Sequence, residues 1–326
     1  MAKYLVTGIA GFIGSSIAHE LVSRGETVRG LDDFSTGKPE NIQDIKNDLD
    51  FRQASLLDEA ALASACKGID YVIHQAALPS VPKSVAEPQL THAVNVNGTL
   101  NLLIAARDAG VKRVVYAASS SAYGESEVLP KQEAMIPRPI SPYAVQKLTG
   151  EYYMQTFSAV YGLETVSLRY FNIFGPRQDA NSQYSAVLAK FITQMQQGEA
   201  PTIFGDGEQS RDFTYVANAV QANLKACAVP AKDASGKVFN IATGSRFSLN
   251  QTFEMLRRII GFSGAAKFAP ARTGDVKHSL ADIALAQKHL GYSAGVSFEE
   301  GLRRTVEWYE QQASAKAGTQ AVVAHR

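Results

Sequence analysis

A doubly wound α/β fold, a parallel sheet with helices on both faces, is predicted by three observations. Short apolar runs alternate with helical patterns through the first half of the chain. A three-glycine turn joins the first apolar run to the first helical stretch. After about Asn172 the elements shorten and glycines punctuate them, which predicts a smaller mixed α/β lobe.

The elements follow in order. Tyr4–Thr7, Thr27–Leu31, Tyr71–His74 and Arg113–Ala117 read as buried strands, and Phe12–Ser23, Glu59–Ala65, Glu87–Ala109 and Pro142–Tyr161 as the helices between them. Thr165–Tyr170 reads as the next strand of the same sheet. Beyond it, Ser185–Gln197, Asn218–Cys227, Leu249–Ile260 and Phe298–Gln311 carry helical patterns. No Pro/Ser-rich linker separates the halves. Residues 1–172 therefore read as a dinucleotide-binding domain, with Thr165–Asn172 bridging to an interleaved substrate lobe at 173–312. Residues 313–326 read as a disordered tail.

Composition excludes several function classes. The chain has 326 residues, 45% hydrophobic, enough for a large core. Lys plus Arg is 32 and Asp plus Glu is 31, so the net charge of +1 gives no bias toward nucleic acid or membrane. Cys66 and Cys227 lack metal-ligand spacing, and neither a zinc site nor a disulfide framework is expected. No apolar run is long enough to span a bilayer and no secretory signal opens the chain, so a cytoplasmic protein is expected.

The turn from Thr7 to Gly14 (TGIAGFIG) places Gly8, Gly11 and Gly14 where backbone must approach a pyrophosphate closely. The following helix N-terminus then offers free N–H groups. A glycine triplet alone is weak evidence; a strand before it and a helix after it give it weight. Asp32 lies at the end of the second strand, 18 residues beyond Gly14, where a carboxylate accepts bonds from ribose hydroxyls. Its charge repels a 2′-phosphate, so NAD is expected rather than NADP, although Lys38 stands close by. Asp33 reads either as a second contact or as a loop cap.

Ser141 and Pro142 suit a helix cap and first helical position, which sets Tyr143 and Lys147 at i and i+4 on one face. An ammonium beside a phenol favours the phenolate and turns the tyrosine into a usable acid or base. The run Ser119, Ser120, Ser121 follows a strand at the carboxyl edge of the sheet, where ligands of open α/β sheets bind. Its hydroxyls suit a substrate hydroxyl.

These motifs, with His74–Ala77 (HQAA), Asn95–Thr99 (NVNGT), Arg169–Asn172 (RYFN) and Ser210–Asp212 (SRD), resemble the extended short-chain dehydrogenase/reductases, and within them the UDP-hexose 4-epimerases. The resemblance runs from Tyr4 to about Tyr309. It implies a Rossmann domain with tightly held NAD, and a homodimer formed by two helices per subunit, near Glu87–Ala109 and Pro142–Tyr161. It implies that Tyr143 takes the proton of the sugar C4 hydroxyl while NAD takes the C4 hydride, and that a 4-keto sugar turns over before the hydride returns. Ser119 would hold the hydroxyl, with Ser120 and Ser121 near the sugar. Lys147 would bind the nicotinamide ribose. Phe12 and Ile13 would offer backbone to the pyrophosphate, Ala76, Ala77, Leu78, Ala117 and Tyr170 would line the cofactor, and Asn95 would lie on the nicotinamide side. Relatives place an Asp after the third strand for the adenine amino group; here Ser55, followed by Leu56, stands in its place.

On the substrate side the resemblance implies Asn172, Arg211 and Arg272 at the diphosphate, Asp275 at the uridine ribose, and Val187 and Phe191 beside the uracil. Forked guanidinium groups suit phosphates. Ser279 aligns with a gatekeeper position that is a large tyrosine in relatives restricted to glucose and galactose. A small residue leaves room for an N-acetyl group, and GDVKHSLAD (274–282) looks closest to the UDP-N-acetylglucosamine 4-epimerase branch. Ser80, Ser84 and Gln178 would add polar contacts. The expected reaction is interconversion of UDP-N-acetylglucosamine and UDP-N-acetylgalactosamine, with UDP-glucose also admitted. A UDP-glucose 4-epimerase restricted to nonacetylated sugars and a UDP-glucuronate 4-epimerase are the alternatives. A 4,6-dehydratase needs an acid pair where Ser120 and Ser121 stand. A noncatalytic dinucleotide sensor has no need of the Tyr143/Lys147 pair.

Overall fold

The structure, a computed structural model, describes residues 1–180, 187–271 and 277–324, with side chains through residue 314. The chain opens with β1 (Lys3–Thr7), α1 (Phe12–Ser23), β2 (Thr27–Asp32), β3 (Leu49–Gln53), α2 (Glu59–Cys66) and β4 (Tyr71–His74). It continues with α3 (Val81–Ala86), α4 (Pro88–His92), α5 (Gly98–Asp108), β5 (Arg113–Ser119), α6 (Pro142–Tyr161) and β6 (Glu164–Tyr170). The second half carries β7 (Ile173–Phe174), α7 (Val187–Gln196), β8 (Thr202–Phe204), β9 (Ser210–Arg211), β10 (Thr214–Tyr215) and α8 (Val216–Ala228). Then follow α9 (Ala231–Ala234), β11 (Lys237–Ile241), β12 (Phe247–Ser248), α10 (Leu249–Ile260), β13 (Lys267–Ala269), α11 (Ala284–Leu290) and α12 (Phe298–Ala324).

The main sheet has the order β11-β6-β5-β4-β1-β2-β3, and every neighbouring pair is parallel. This is the Rossmann order, extended by one strand at its β6 edge. Its strands are apolar on both faces because helices cover both. Val6, Ile73 and Val115 enter one core with α1 and α8; Leu5, Val72 and Val114 enter the other with α2, α5 and α6. The order reverses between β1 and β4, and ligands of such sheets bind in the crevice at the carboxyl ends there.

Two elements of the large sheet domain come from the second half. β11 pairs with β6, and α8 packs on α1, β5 and β6. The buried Arg113 guanidinium fastens this join. It donates to the carbonyls of Ala226 and Val229 at 2.7 Å and to Glu164, so it caps the free end of α8. The small pairs β7–β10 and β8–β13 are parallel and β9–β12 is antiparallel, giving the second lobe its mixed character.

The expected single helix over Glu87–Ala109 is broken. Pro88 starts a new helix, and a π-helical turn over Ala93–Asn97 separates α4 from α5. The extra residue of that turn lets Asn95 reach Leu78, and π-turns recur at functional sites. At the other end α12 runs on to Ala324, through the stretch read as a tail; its alanines favour helix. No described helix is long and apolar enough to cross a membrane.

Candidate active site

A cleft of about 580 Å³ opens at the reversal of strand order, within the range of small-molecule sites. Its floor is the β1–α1 turn. Gly8 sits at φ +68°, and a Cβ there would lie 2.7 Å from Ala76 N. A Cβ on Gly14 would lie 2.0 Å from Gly8 O. The turn is therefore a cradle that side chains would fill. Gly8, Gly11, Phe12, Ile13 and Gly14 all line the cleft.

Asp32 and Asp33 line the same cleft at the end of β2. The Asp32 carboxylate accepts from Ala10 N at 2.9 Å and Phe34 N at 2.8 Å, which fixes its direction beside the glycine turn. Burial pushes its pKa up, against those bonds. Asp33 turns its own loop, accepting from Ser35 N. Lys38 pairs with Asp179 across the mouth at 3.0 Å, both half-exposed. Leu56, Ala76, Ala77, Ala117 and Tyr170 line it too. Ser55 does not join it, although Ala54 and Leu56 on either side do; its hydroxyl turns back to Leu57 N.

Leu78 and Asn95 lie behind the wall. The Asn95 amide accepts from Leu78 N at 2.7 Å and donates to Leu78 O and to Gln146 Oε1, so it braces the wall against α6. Arg177, absent from the sequence reading, does line the cleft. It sits at φ +69°, donates to Ser16 on α1, and its buried Nε has no hydrogen-bond partner. The signal was the Gly175-Pro176 turn, which commits the next residue to a loop over the cleft.

Tyr143 and Lys147 stand at the start of α6. Ser141 Oγ accepts from Ala144 N and Pro142 fills the first turn, so the helix begins where the sequence places it. Tyr143 N donates to Ser84 Oγ at 3.0 Å, which holds the tyrosine from behind. Burial pushes the Tyr143 phenol up to about 12, and a hydrogen bond with Ser119 opposes it. Lys147 Nζ donates to Ala117 O at 2.9 Å and lies 4.9 Å from the centre of the Tyr116 ring. Burial pulls its ammonium down to about 8, with Glu151 opposing. Ser119 Oγ accepts from Ser121 N and Ser121 Oγ, and Ser120 lies between them in a 3₁₀ turn. A phenol, an ammonium and a hydroxyl thus meet at the end of the cleft where α6 begins.

Ser80 and Gln178 also line the cleft. Ser80 caps α3 and Gln178 donates to Ile173 O. Beyond them the second lobe gathers Asn172, Arg211 and Ser279 around Asp212. Asn172, at φ +40°, donates to Asp212 O. Asp212 Oδ2 accepts from Ala281 N, two residues past Ser279, and Ser279 N donates to Ser210 O. Arg211 donates to Ser210 O and Lys277 O. Lys131 N donates to Leu280 O, so the segment carrying Ser279 is stitched to the loop leaving the serine run. Val187 lies half-buried on α7 and Phe191 is buried in the main core. Arg272 and Asp275 lie outside the described residues.

Residues 4–242 match the profile of the NAD dependent epimerase/dehydratase family. The chain belongs to this family. Its cofactor is NAD, which the glycine cradle and the Asp32 carboxylate fit. Among curated relatives, the UDP-glucose 4-epimerase of Mycolicibacterium smegmatis is 36% identical over 315 residues, 95% of this chain and 99% of that one. The solved UDP-N-acetylglucosamine 4-epimerase of Methanobrevibacter ruminantium, in complex with UDP-N-acetylmuramic acid, is 42% identical. It superposes with a TM-score of 0.90 over 95% of this chain and 99% of that one. A Bacillus cereus UDP-glucuronic acid 4-epimerase mutant, solved with UDP-4-deoxy-4-fluoro-glucuronic acid and NAD, is 33% identical with a TM-score of 0.87, over 95% and 99% of the two chains. The family member thus stands among the UDP-hexose 4-epimerases.

Proposed function

We propose that this UDP-sugar 4-epimerase interconverts UDP-N-acetylglucosamine and UDP-N-acetylgalactosamine. The observation that carries the sugar is Ser279, a small side chain on a segment tied to the loop after the serine run. The relative solved with UDP-N-acetylmuramic acid supports room at the C2 substituent. UDP-glucose is the second reading, since a pocket that admits an acetamido group admits a hydroxyl.

In this reading Tyr143 takes the C4 hydroxyl proton and returns it on the other face. Ser119 aligns that hydroxyl, and the Lys147 ammonium favours the phenolate that does the work. NAD, when bound, supplies the acceptor and donor for the C4 hydride. The lobe at 173–312 holds the nucleotide, with Arg211, Arg272 and Asp275, and Asn172 at its edge, as the polar contacts. The copy of this chain paired through α5 and α6 is the proposed partner. Val145, Tyr152 and Val160 are 49%, 52% and 66% exposed along one face of α6, an apolar stripe that a second copy would cover.

The test is turnover of purified protein, without added NAD, on UDP-N-acetylglucosamine, UDP-glucose and UDP-glucuronate. Conversion of the acetylated pair is expected. No conversion of that pair sinks the sugar assignment. Ser279→Tyr should cost the acetylated pair roughly 10–200-fold in kcat/KM and spare UDP-glucose.

A further inference from the structure

A buried ammonium tends to shed its proton, because the charged form loses its hydration. Lys147 is 4% exposed, and its Nζ rests on a neutral carbonyl and a neutral ring. One turn further along α6, on the same face, stands Glu151, 1% exposed. Arg169 of β6, 3% exposed, grips both of its oxygens: Nε donates to Oε1 at 2.9 Å and Nη2 to Oε2 at 2.7 Å. The guanidinium in turn lies 4.7 Å from the Tyr123 ring centre, whose hydroxyl donates to Asn240. Stability is a poor reason to bury such a pair, because apolar replacements of similar volume often stabilise.

We propose that Glu151 is a positioning residue for the catalytic lysine: its carboxylate, gripped by Arg169 on the buried face of α6 one turn beyond Lys147, keeps the Lys147 ammonium charged and so keeps Tyr143 ready to ionise. The catalytic consequence rests on the epimerase reading; the electrostatic link is a property of the folded chain. The other titratable groups around Lys147 are Tyr116 from β5 and His74 from β4, with Tyr143 one turn earlier on α6. All three are neutral near pH 7. Glu151 faces Arg169, and Tyr123 and Glu133 act on that guanidinium from beyond. The carboxylate that acts on Lys147 is Glu151, and it raises the lysine's pKa against burial.

The test is a carbon-13 NMR titration of lysine-labelled protein, the Lys147 signal being assigned by its loss in Lys147→Met. In Glu151→Gln the midpoint should fall from near 8 by about one unit or more. The alkaline limb of kcat should move down by the same amount, with KM for the UDP-sugar unchanged. A role confined to packing would lower kcat at every pH and leave the midpoint in place, and that result overturns the proposal. Glu151→Gln strands a buried guanidinium, so Glu151→Gln/Arg169→Gln is the second variant. With both charges of the pair removed the midpoint should still fall, by less than in Glu151→Gln, and an unmoved midpoint there overturns the proposal too. The titration uses no sugar. A wild-type protein inactive on every UDP-sugar would end the epimerase reading and leave this test intact.

Discussion

At the scale of single residues, Tyr143 is the residue proposed to carry the chemistry and His74 shows how firmly its surroundings are set. Tyr143→Phe should lower turnover by roughly 10²–10⁴-fold or more while NAD stays bound, measured by sugar conversion and by the nucleotide released on denaturation. His74 is buried between two threonines. Thr99 Oγ1 gives its proton to Asn95 O, so it accepts from His74 Nε2, and Thr7 Oγ1 donates to Nδ1 at 2.7 Å. Burial, then the Lys147 charge, push the imidazole down to about 3 from its ordinary 6.5. Above pH 6.5 both folded and unfolded chains hold it neutral and it contributes nothing. Below that the unfolded chain gains a proton that the folded chain refuses, so stability falls by about 1.4 kcal/mol per pH unit down to about 3. Urea unfolding of wild type and His74→Gln should therefore lose about 2 kcal/mol of difference between pH 6.5 and about pH 5.

At the scale of elements, the β1–α1 turn and the start of α6 were legible because each rests on local chemistry. Glycines, a cap and a proline act on their immediate neighbours. Gly14→Ala would drive a methyl into Gly8 O, so it should cost about 3 kcal/mol or more and abolish NAD retention, seen as a lower Tm and nucleotide-free protein. The stretch before α5 was not legible. The helical period across Glu87–Ala109 was right in kind and Pro88 starts it, but the π-turn over Ala93–Asn97, where Asn95 reaches Leu78, decides where it breaks. Strand β3 escaped because its alternating Asp50, Phe51 and Arg52 lie at an edge and look like a loop. Asn95 and Ser55 show the same limit at the site: a motif fixes the residue type, and packing decides whether its side chain faces the ligand.

At the scale of the whole molecule, the interleaving of the halves is the feature that makes the cleft. Tyr170 at the end of β6 receives a bond from Asn223 of α8 at 2.6 Å, and α12 reaches back so that the Tyr309 hydroxyl donates to Gln178 O. Residues 131 positions apart thus close one wall. The apolar stripe on α6 predicts a dimer. Tyr152→Lys with Val145→Lys should give a monomer by sedimentation velocity, with like charges from both copies placed in what would be the centre of the interface. A variant that stays dimeric would assign the stripe to another role.

The sequence by itself determined the parallel sheet, the glycine cradle, the acid at the end of β2 and the Tyr143/Lys147 pair. Each follows from periodicity or from neighbours within about one helical turn. The tertiary structure alone decided that β11 and α8 complete the first domain, that Arg177 hangs over the cofactor cleft, and that Arg169 meets Glu151 beneath the lysine. Those contacts join residues far apart in sequence, and their strength comes from exclusion of water, which only the assembled core provides.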